Sequence, residues 1–492
     1  MPRTELVFLR NGKRVEEAEV SPNETLLDYL RLRERSCGTK EGCNEGDCGA
    51  CTVAVGTLRK GRVVYEPVNA CIRLLAQVDG CDVITVDDLA EDGKLHPVQQ
   101  AMVDLHGSQC GFCTPGIVMS LFTLYHSGQK ADRQMVNDWL AGNLCRCTGY
   151  RPIADAALMA ITGEADDAVS KRAGATARAL KTLSDDQDIF IGSPDRFVAA
   201  PASVEALARL ASKHPDATIV SGATDVGLWI TKQLRELPKI ILTGRATGFD
   251  TVSAGKTSVR IGAGATYAGA FDALAAIDPD VGEVVRRIGS KQVRASGTVG
   301  GNIANGSPIG DMPPMLIALG AQLELVKGKK TRAIALEDFF IDYGRQDRQA
   351  GELVRAVEIP KLARNQHFRA YKISKRFDQD ISAVMAAFRI TVVKGRMTEA
   401  RIAFGGMAGT PKRASNAEAE LVGVSIANEA DWETAIAALA DDFTPLTDMR
   451  ASAGYRMRVA QNLLRKALTE IAGKASDETR VAGRRERLEA AQ

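Results

Sequence analysis

The chain has ten cysteines, and all of them lie before Thr148. Eight fall into two groups with spacings that suit metal chemistry. In "GCNEGDCGAC", Cys43, Cys48 and Cys51 have the spacing C-x4-C-x2-C, and Cys71 follows on the far side of "CTVAVGTL". This is the plant-type spacing for a [2Fe–2S] cluster. A loop wrapping an anionic cluster must bring backbone N–H groups close to sulfur, so Gly42, Gly46 and Gly49 are predicted to take positive φ angles. The alternative is a structural zinc ion, although only Cys48 and Cys51 form the C-x2-C knuckle that zinc usually takes. Cys37 and Cys81 are left over. Cys37 competes as a ligand across Thr39 and Lys40, or it is a small, partly buried thiol.

The second group is Cys110-x2-Cys113 in "QCGFCTPG" with Cys145-x-Cys147 in "NLCRCTGYRP". Its surroundings read as helices. "HPVQQAMVDLH" starts at Pro97. "TPGIVMSLFTLY" starts with Thr114 as a cap and Pro115 in the first turn. "DRQMVNDWLAG" follows the cap Asp132 and ends at Gly142, and "RPIADAALMAI" has Pro152 at its start. These make two helical hairpins with a cysteine pair in each bend. Both pairs precede helix N-termini, which favour an anionic cluster. A zinc ion held by these four cysteines is again the alternative. Around the first group, "TELVFLRNGKRVEEAEV" reads as two strands about an Asn11-Gly12 turn, "TLLDYLRL" as a short helix and "CTVAVGTL" as a strand.

Composition bounds the function. The chain has 492 residues, enough for three or four domains, and its 45% hydrophobic and 25% charged content is that of a soluble globular protein. A net charge of +2 argues against nucleic acid as the main partner. No apolar run reaches the ~20 residues that span a bilayer, so no membrane partner is expected. The N-terminus alternates like a strand and has no apolar signal region, so the expected location is cytoplasmic.

A plant-type cluster loop followed by "QCGFCTPG" and "CRCTGYRPI" resembles the molybdenum hydroxylase family. The resemblance assigns Cys43, Cys48, Cys51 and Cys71 to one [2Fe–2S] cluster and Cys110, Cys113, Cys145 and Cys147 to a second. It makes Gln109 a contact to molybdopterin on a partner, where the residues alone allow a helix-end hydrogen bond.

The second half changes texture. "ASVEALARLASKHP" is an amphipathic helix, and "ATIVSGATDVGLWI" is a strand, a glycine turn and a second apolar run. "ASGTVGGNIANGSPIGD" packs Gly297, Gly300, Gly301, Gly306 and Gly310 among Thr298, Asn302, Asn305 and Ser307, as a diphosphate-binding loop would. Tight turns in a β-rich fold are the alternative. "GAGATY" at Gly262 imitates a dinucleotide fingerprint but ends in Tyr267 and lacks the acidic residue expected further on, so a Rossmann site is not expected there. "IVSGATDVG" and "GTVGGNIANGSPIGD" resemble the two FAD loops of the family's vanillyl-alcohol-oxidase-like domain. The resemblance implies contacts from Ile219, Val220, Ser221, Gly222, Ala223, Thr224, Asp225 and Val226 on the first loop. On the second it implies Thr298, Gly301, Asn302 and Asp311. It adds Lys372 reaching the cofactor, Val354 packing near the flavin, and Ile288 where mammalian relatives have an aromatic. Tyr343 in "FFIDYGRQD" stands beside the nicotinamide site on this reading, and otherwise is a partly buried tyrosine at an element end.

The implied fold class is α+β multidomain. It comprises a plant-type ferredoxin-like β-grasp domain (1–85), a four-helix-bundle [2Fe–2S] domain (86–164) and a polar linker without a convincing core face (165–188), with helix over part of it as an alternative. A vanillyl-alcohol-oxidase-like FAD-binding α+β domain (189–365), a C-terminal CO-dehydrogenase-flavoprotein-like α+β domain (366–474) and a charged tail (475–492) complete it. No molybdenum-binding part follows, so the resemblance places that part on a large partner subunit in an (αβ)2 heterotetramer. The implied function is electron transfer in the purine-oxidising branch of the family. Electrons from a partner's molybdenum would pass through two [2Fe–2S] clusters to FAD and on to NAD+, with no catalytic residue for bond breaking on this chain. An aldehyde or N-heterocycle hydroxylase is the alternative within the family. Outside it stand a free flavin–iron carrier and a redox-sensing interaction protein.

Overall fold

The computed structural model describes residues 1–473 and 479–480. The described residues form two compact units, one of 1–248 with 289–297, the other of 249–288 with the described residues from 298 on. Apart from Thr479 and Arg480, the tail expected at 475–492 lies outside the described residues.

The first unit opens with a five-stranded sheet of order β2-β1-β5-β3-β4. Its strands are β1 (Leu6–Arg10), β2 (Lys13–Glu17), β3 (Thr52–Arg59), β4 (Arg62–Asn69) and β5 (Asp82–Ile84). The β1–β2 hairpin turns at Asn11 (φ 53°) and Gly12 (φ 77°), the positive pair that a two-residue hairpin with matching twist requires. β1 runs parallel to β5, and the short helix α1 (Leu26–Asp28) packs Leu26 and Leu27 under the sheet, as in a β-grasp. The predicted hairpin, helix and strand all appear.

Four helices follow: α2 (Pro97–Asp104), α3 (Thr114–Tyr125), α4 (Arg133–Leu140) and α5 (Arg151–Ala160). Asp132 caps α4 as expected, accepting from Met135 N at 2.7 Å. Thr114 is not a cap. It occupies the first helical turn, Cys113 holds the cap position, and the Thr114 hydroxyl bonds Ser108 Oγ at 2.7 Å. α3 is buried almost all round, which is how one apolar helix can serve both the bundle and the neighbouring sheet.

The segment read as a linker contains the helix α6 (Ala168–Leu183), capped by Asp167, and against expectation it has a core face, packed on the five-stranded sheet. Its buried residues are Val169, Thr176, Leu180 and Leu183. Leu180 and Leu183 meet Val7 and Leu9, while Leu6 and Phe8 on the opposite face of β1 enter the main core. β1 is therefore covered on both faces, and a stripe of two leucines suffices to dock α6.

The first unit ends in a four-stranded sheet of order β6-β7-β9-β8, with β6 (Ile189–Ser193), β7 (Arg196–Ala200), β8 (Thr218–Val220) and β9 (Lys239–Leu242). The helix α7 (Val204–Lys213), capped by Ser203, and α8 (Val226–Thr231) flank β8 in the chain. The short helix Lys291–Ser296 also belongs to this unit.

The second unit has an antiparallel five-stranded sheet built from Val252–Ala254, Ser258–Gly262, Leu353–Pro360, Gln322–Lys327 and Lys330–Ala335, in that spatial order. A four-stranded antiparallel sheet follows, from Gln366–Ile373, Val384–Val393, Arg396–Gly405 and Lys412–Arg413. The helices Met312–Leu319, Ser415–Leu421, Glu433–Asp442 and Ala453–Ile471 pack in this half. The architecture is α+β and multidomain. Among the described residues, no helix is long and apolar enough to cross a membrane.

Candidate redox centres

The first cysteine loop runs from α1 to β3. Cys51 and Cys71 are buried, and Cys43 and Cys48 are half-buried. The backbone N–H groups of Asp47 and Cys48 donate to Cys43 Sγ at 3.4 and 3.3 Å. A hydrogen bond from Cys48, helped by those backbone donors, holds the Cys43 thiol down at about 4. The same bond, with burial, pushes Cys48 up. Cys71 is likewise pushed up by its hydrogen bond with Cys51 and by burial. Gly46 (φ 78°) and Gly49 (φ 70°) adopt the predicted positive φ, but Gly42 does not. Its role is steric, since a Cβ there would lie 2.8 Å from Cys48 Sγ. Asn69, which the sequence did not single out, donates to Gly46 O at 2.7 Å and lies beside Cys51 Sγ. Cys37 is exposed, not partly buried, and Cys81 is buried, with burial pushing its thiol up to about 11.

The second group occupies the bends between α2 and α3 and between α4 and α5. Cys110 and Cys147 act on one another's thiols, as do Cys113 and Cys145. The N–H of Phe112 and the Cys147 thiol hold Cys110 down, and that same bond raises Cys147. Burial, with the Cys145 bond, pushes Cys113 up to about 12. Tyr150 takes a left-handed conformation (φ 68°) at the start of α5 and accepts from Cys145 N at 2.8 Å through its hydroxyl.

Each group is thus two sulfur pairs. A tetrahedral zinc ion with bonds of about 2.3 Å would set every pair of its sulfurs about 3.8 Å apart. Among the described residues, three metal-ligating atoms come within 4.8 Å of one another only at His96, His126 and Asp167. Two pairs, one per iron, is the donor arrangement of a two-iron cluster, and the N–H groups on Cys43 suit its negative charge. The two groups are joined directly, because Leu144 N donates to Cys48 O at 2.9 Å. Gln109 and Arg146 are exposed at the second group, near the half-exposed rings of Phe112 (49%) and Tyr150 (38%).

In the first unit, the predicted flavin loop connects β8 to α8. Ala223 has φ 59°, Gln77 Nε2 donates to Ser221 O at 2.6 Å, and Thr243 Oγ1 bonds Ser221 Oγ at 2.9 Å. Gly222 is pressed on Ser296, where a Cβ would strike the carbonyl. Ile219 is half-buried, Val220 buried and Asp225 exposed, with Thr224 and Val226 half-buried between and beyond them.

In the second unit, the other glycine-rich stretch is largely a short helix, Val299–Asn305. Thr298 caps it, accepting from Gly301 N at 3.0 Å. Gly300 lies against Ala263. Two buried polar atoms close in sequence to these elements, Asn302 Oδ1 and the hydroxyl of Tyr267, have no partner among the described residues. Orphaned polar atoms around a glycine-rich helix start fit a polar ligand there. Lys372 does not extend freely, because its ammonium is held by the buried Asp311 at 2.5 Å, and Ser382 bonds the other carboxylate oxygen at 2.5 Å. Val354 is buried in strand Leu353–Pro360, and Ile288 is half-buried. Tyr343 is 74% exposed in the turn between Phe340–Asp342 and Arg345–Gln346, not partly buried.

Four family models match in tandem. They are a 2Fe-2S iron-sulfur cluster binding domain (residues 9–72), a [2Fe-2S] binding domain (85–158), an FAD binding domain in molybdopterin dehydrogenase (192–362) and a CO dehydrogenase flavoprotein C-terminal domain (369–471). Curated relatives include the xanthine dehydrogenase/oxidase of Rattus norvegicus, 31% identical over 83% of this chain and 34% of its own length. The xanthine dehydrogenase of Drosophila pseudoobscura pseudoobscura is 33% identical over 83% of this chain and 35% of its own length. The chain spans about a third of the length of these relatives. Among solved structures, a chain of CO dehydrogenase from Oligotropha carboxidovorans aligns with a TM-score of 0.53 and 28% identity, over 58% of this chain and 99% of that one. A chain of quinoline 2-oxidoreductase from Pseudomonas putida 86 gives 0.51 and 26%, over 56% and 95%. With paired thiols at both cysteine groups and all four domain types in one order, the chain belongs to the molybdenum hydroxylase family and carries its iron–sulfur and FAD-binding domains.

Proposed function

We propose that the chain is the electron-transfer subunit of an NAD+-dependent xanthine dehydrogenase, working with a large molybdopterin-binding subunit in an (αβ)2 assembly. The observation that carries this reading is the pairing of thiols in two groups joined by the Leu144–Cys48 hydrogen bond, which is the layout of a relay. In the reading, Cys43, Cys48, Cys51 and Cys71 hold one [2Fe–2S] cluster, and Cys110, Cys113, Cys145 and Cys147 hold the other. The FAD contacts proposed for the first unit are those of the loop at 219–226, and those proposed for the second are Thr298, Gly301, Asn302 and Asp311. The clusters supply one-electron steps, and the flavin joins these to two-electron chemistry.

The chain's own residues do the holding and insulating. Asp47 and Cys48 aim N–H groups at Cys43 Sγ, which favours its thiolate. Asn69 fixes the Gly46 carbonyl. Lys372 balances the charge of Asp311 next to the glycine-rich helix, so that buried carboxylate stays paired. Gln109 and Arg146, exposed beside the second group, form the face offered to the molybdenum subunit. Cysteines that are all free thiols suit a reducing cytoplasm. Purine is favoured as the partner's substrate by identity near 30% to xanthine dehydrogenases over most of the chain.

A second reading has its own support. Alignment with chains of CO dehydrogenase and quinoline 2-oxidoreductase suits a partner that oxidises a different small molecule, an N-heterocycle or an aldehyde. The purified complex decides between them, assayed for NADH formation with hypoxanthine, xanthine, aldehydes and quinoline. Turnover with purines and NAD+ is expected. Turnover with quinoline or aldehydes alone selects the second reading, and copurification without a molybdenum chain refutes both.

A further inference from the structure

The two cysteine loops are held together by a buried polar network, and its central member comes from neither loop. Gln292, 1% exposed on the short helix Lys291–Ser296, points its amide Nε2 at three acceptors. These are Asn143 Oδ1 at 2.9 Å, Ser120 Oγ at 3.1 Å and Thr52 Oγ1 at 3.2 Å. Asn143, 2% exposed and two residues before Cys145, turns its own amide to Gly49 O at 3.1 Å. Thr52 reaches the same carbonyl with its hydroxyl at 2.7 Å and its N–H at 3.1 Å. Gly116 and Gly142 wall this carbonyl closely, for a Cβ on Gly116 would strike it and one on Gly142 would strike Gln292.

Gly49 lies between two proposed cluster ligands, and a trans peptide sets its C=O opposite to the N–H of the next residue. Holding the Gly49 carbonyl into the network therefore aims the Ala50 N–H the other way. That N–H belongs to the loop between Cys48 and Cys51, and it favours the Cys48 thiolate. Leu144 N grips the preceding carbonyl, Cys48 O, so two successive peptides of the first loop are oriented from the second.

We infer that Gln292 is a positioning residue that sets the reduction potential of the first cluster, by fixing through Asn143 and Thr52 the Gly49–Ala50 peptide, whose N–H is turned from the network into the cysteine loop. The inference rests on the proposed assignment of the first cluster to this loop. Reduction adds negative charge to a cluster, and N–H groups on its sulfurs stabilise that charge. Loosening the peptide must then make the first cluster harder to reduce. The second cluster, where Thr148 Oγ1 bonds Cys145 Sγ at 3.2 Å, should keep its potential.

The test is a potentiometric titration followed by EPR on the full chain, with Gln292→Met and Thr52→Val. Both changes are neutral and close in size. The expected result is a threefold to tenfold fall in the reduction equilibrium of the first cluster alone, about 28 to 59 mV. In deuterated buffer, electron–nuclear double resonance should show weakened coupling of one exchangeable amide deuteron to that cluster. Unchanged potentials and coupling, or equal falls in both clusters, would overturn the inference. Should a variant lose iron, loss confined to the first signal supports the grip on that loop, and loss of both overturns it. A wild-type chain without two distinct signals refutes the cluster assignment itself, a failure visible before any variant is made.

Discussion

Asp167→Ala should open the start of α6 without touching either cysteine group. The wild-type carboxylate is buried and does three things. One oxygen caps α6, accepting from Ser170 N at 2.6 Å. The other accepts from His96 Nε2 at 2.9 Å and from His126 Nε2 at 2.8 Å. His96 Nδ1 already accepts from Val98 N at 3.1 Å, so its proton is on Nε2 and the trio is a hydrogen-bonded tie, not a metal site. Losing the cap costs about 1 kcal/mol. Each buried ring N–H left without an acceptor costs about 1–3 kcal/mol. A local loss of roughly 3 kcal/mol is a factor of about one hundred in the opening equilibrium. The assay is native-state hydrogen exchange at the amides from Lys171 to Leu180, where protection should fall about a hundredfold. Acidity supplies a second arm. Burial works against the Asp167 charge, but the bonds from His126 and His96 outweigh it and depress its pKa. Its stabilising contribution is therefore complete above the unfolded value near about 3.9 and is lost as pH falls through the lower folded value. The gap between wild type and variant should be full at pH 5 and shrink below about pH 4. Protection within threefold of wild type at neutral pH would refute the reasoning.

The cluster assignment predicts about four irons per chain, two for each cluster. Cys43→Ser should alter one EPR signal and Cys113→Ser the other, while Cys37→Ala and Cys81→Ala leave both. Gly49→Ala combines a strained positive φ with a Cβ driven onto the Gly142 carbonyl, so the first signal should disappear from an iron and EPR assay of the purified chain. Lys372→Met leaves the Asp311 carboxylate buried without its cation, a loss of about 3–5 kcal/mol. Flavin absorbance per chain after gel filtration should drop sharply, and Lys372→Met with Asp311→Leu should restore much of the thermal stability without restoring flavin.

Much of the first third was legible because cysteine, glycine and proline carry strong local constraints. The Asn11-Gly12 turn and the two helical hairpins follow from turn and cap chemistry that acts within a few residues. The buried face of α6 was missed because its four buried side chains are spread thinly among alanines and charges, and its partner face belongs to β1 far away in sequence. Gln292 and Asn143 were invisible for a related reason. A buried amide looks like any surface glutamine or asparagine until the strand, the helix and the loop that satisfy it are brought together. Gly42 was right in identity and wrong in cause, since spacing cannot distinguish a needed φ from a needed void. The Asp311–Lys372 pair shows the same limit, because each residue was expected to face a cofactor and the charge of one is spent on the other.

The return of residues 289–297 to the first unit has a consequence for how the protein is made. When the ribosome has released residue 248, every cysteine is already out, yet Gln292 has not been synthesised. Thr52, Ser120 and Asn143 then lack their common donor. At about 5–20 residues per second the interval is only a few seconds, but throughout it the seam between the two cysteine loops is incomplete. The seam closes only once the helix Lys291–Ser296 has been made. The same order of synthesis means that a fragment cut at residue 248 would contain all ten thiols and still lack the residue that locks them in register.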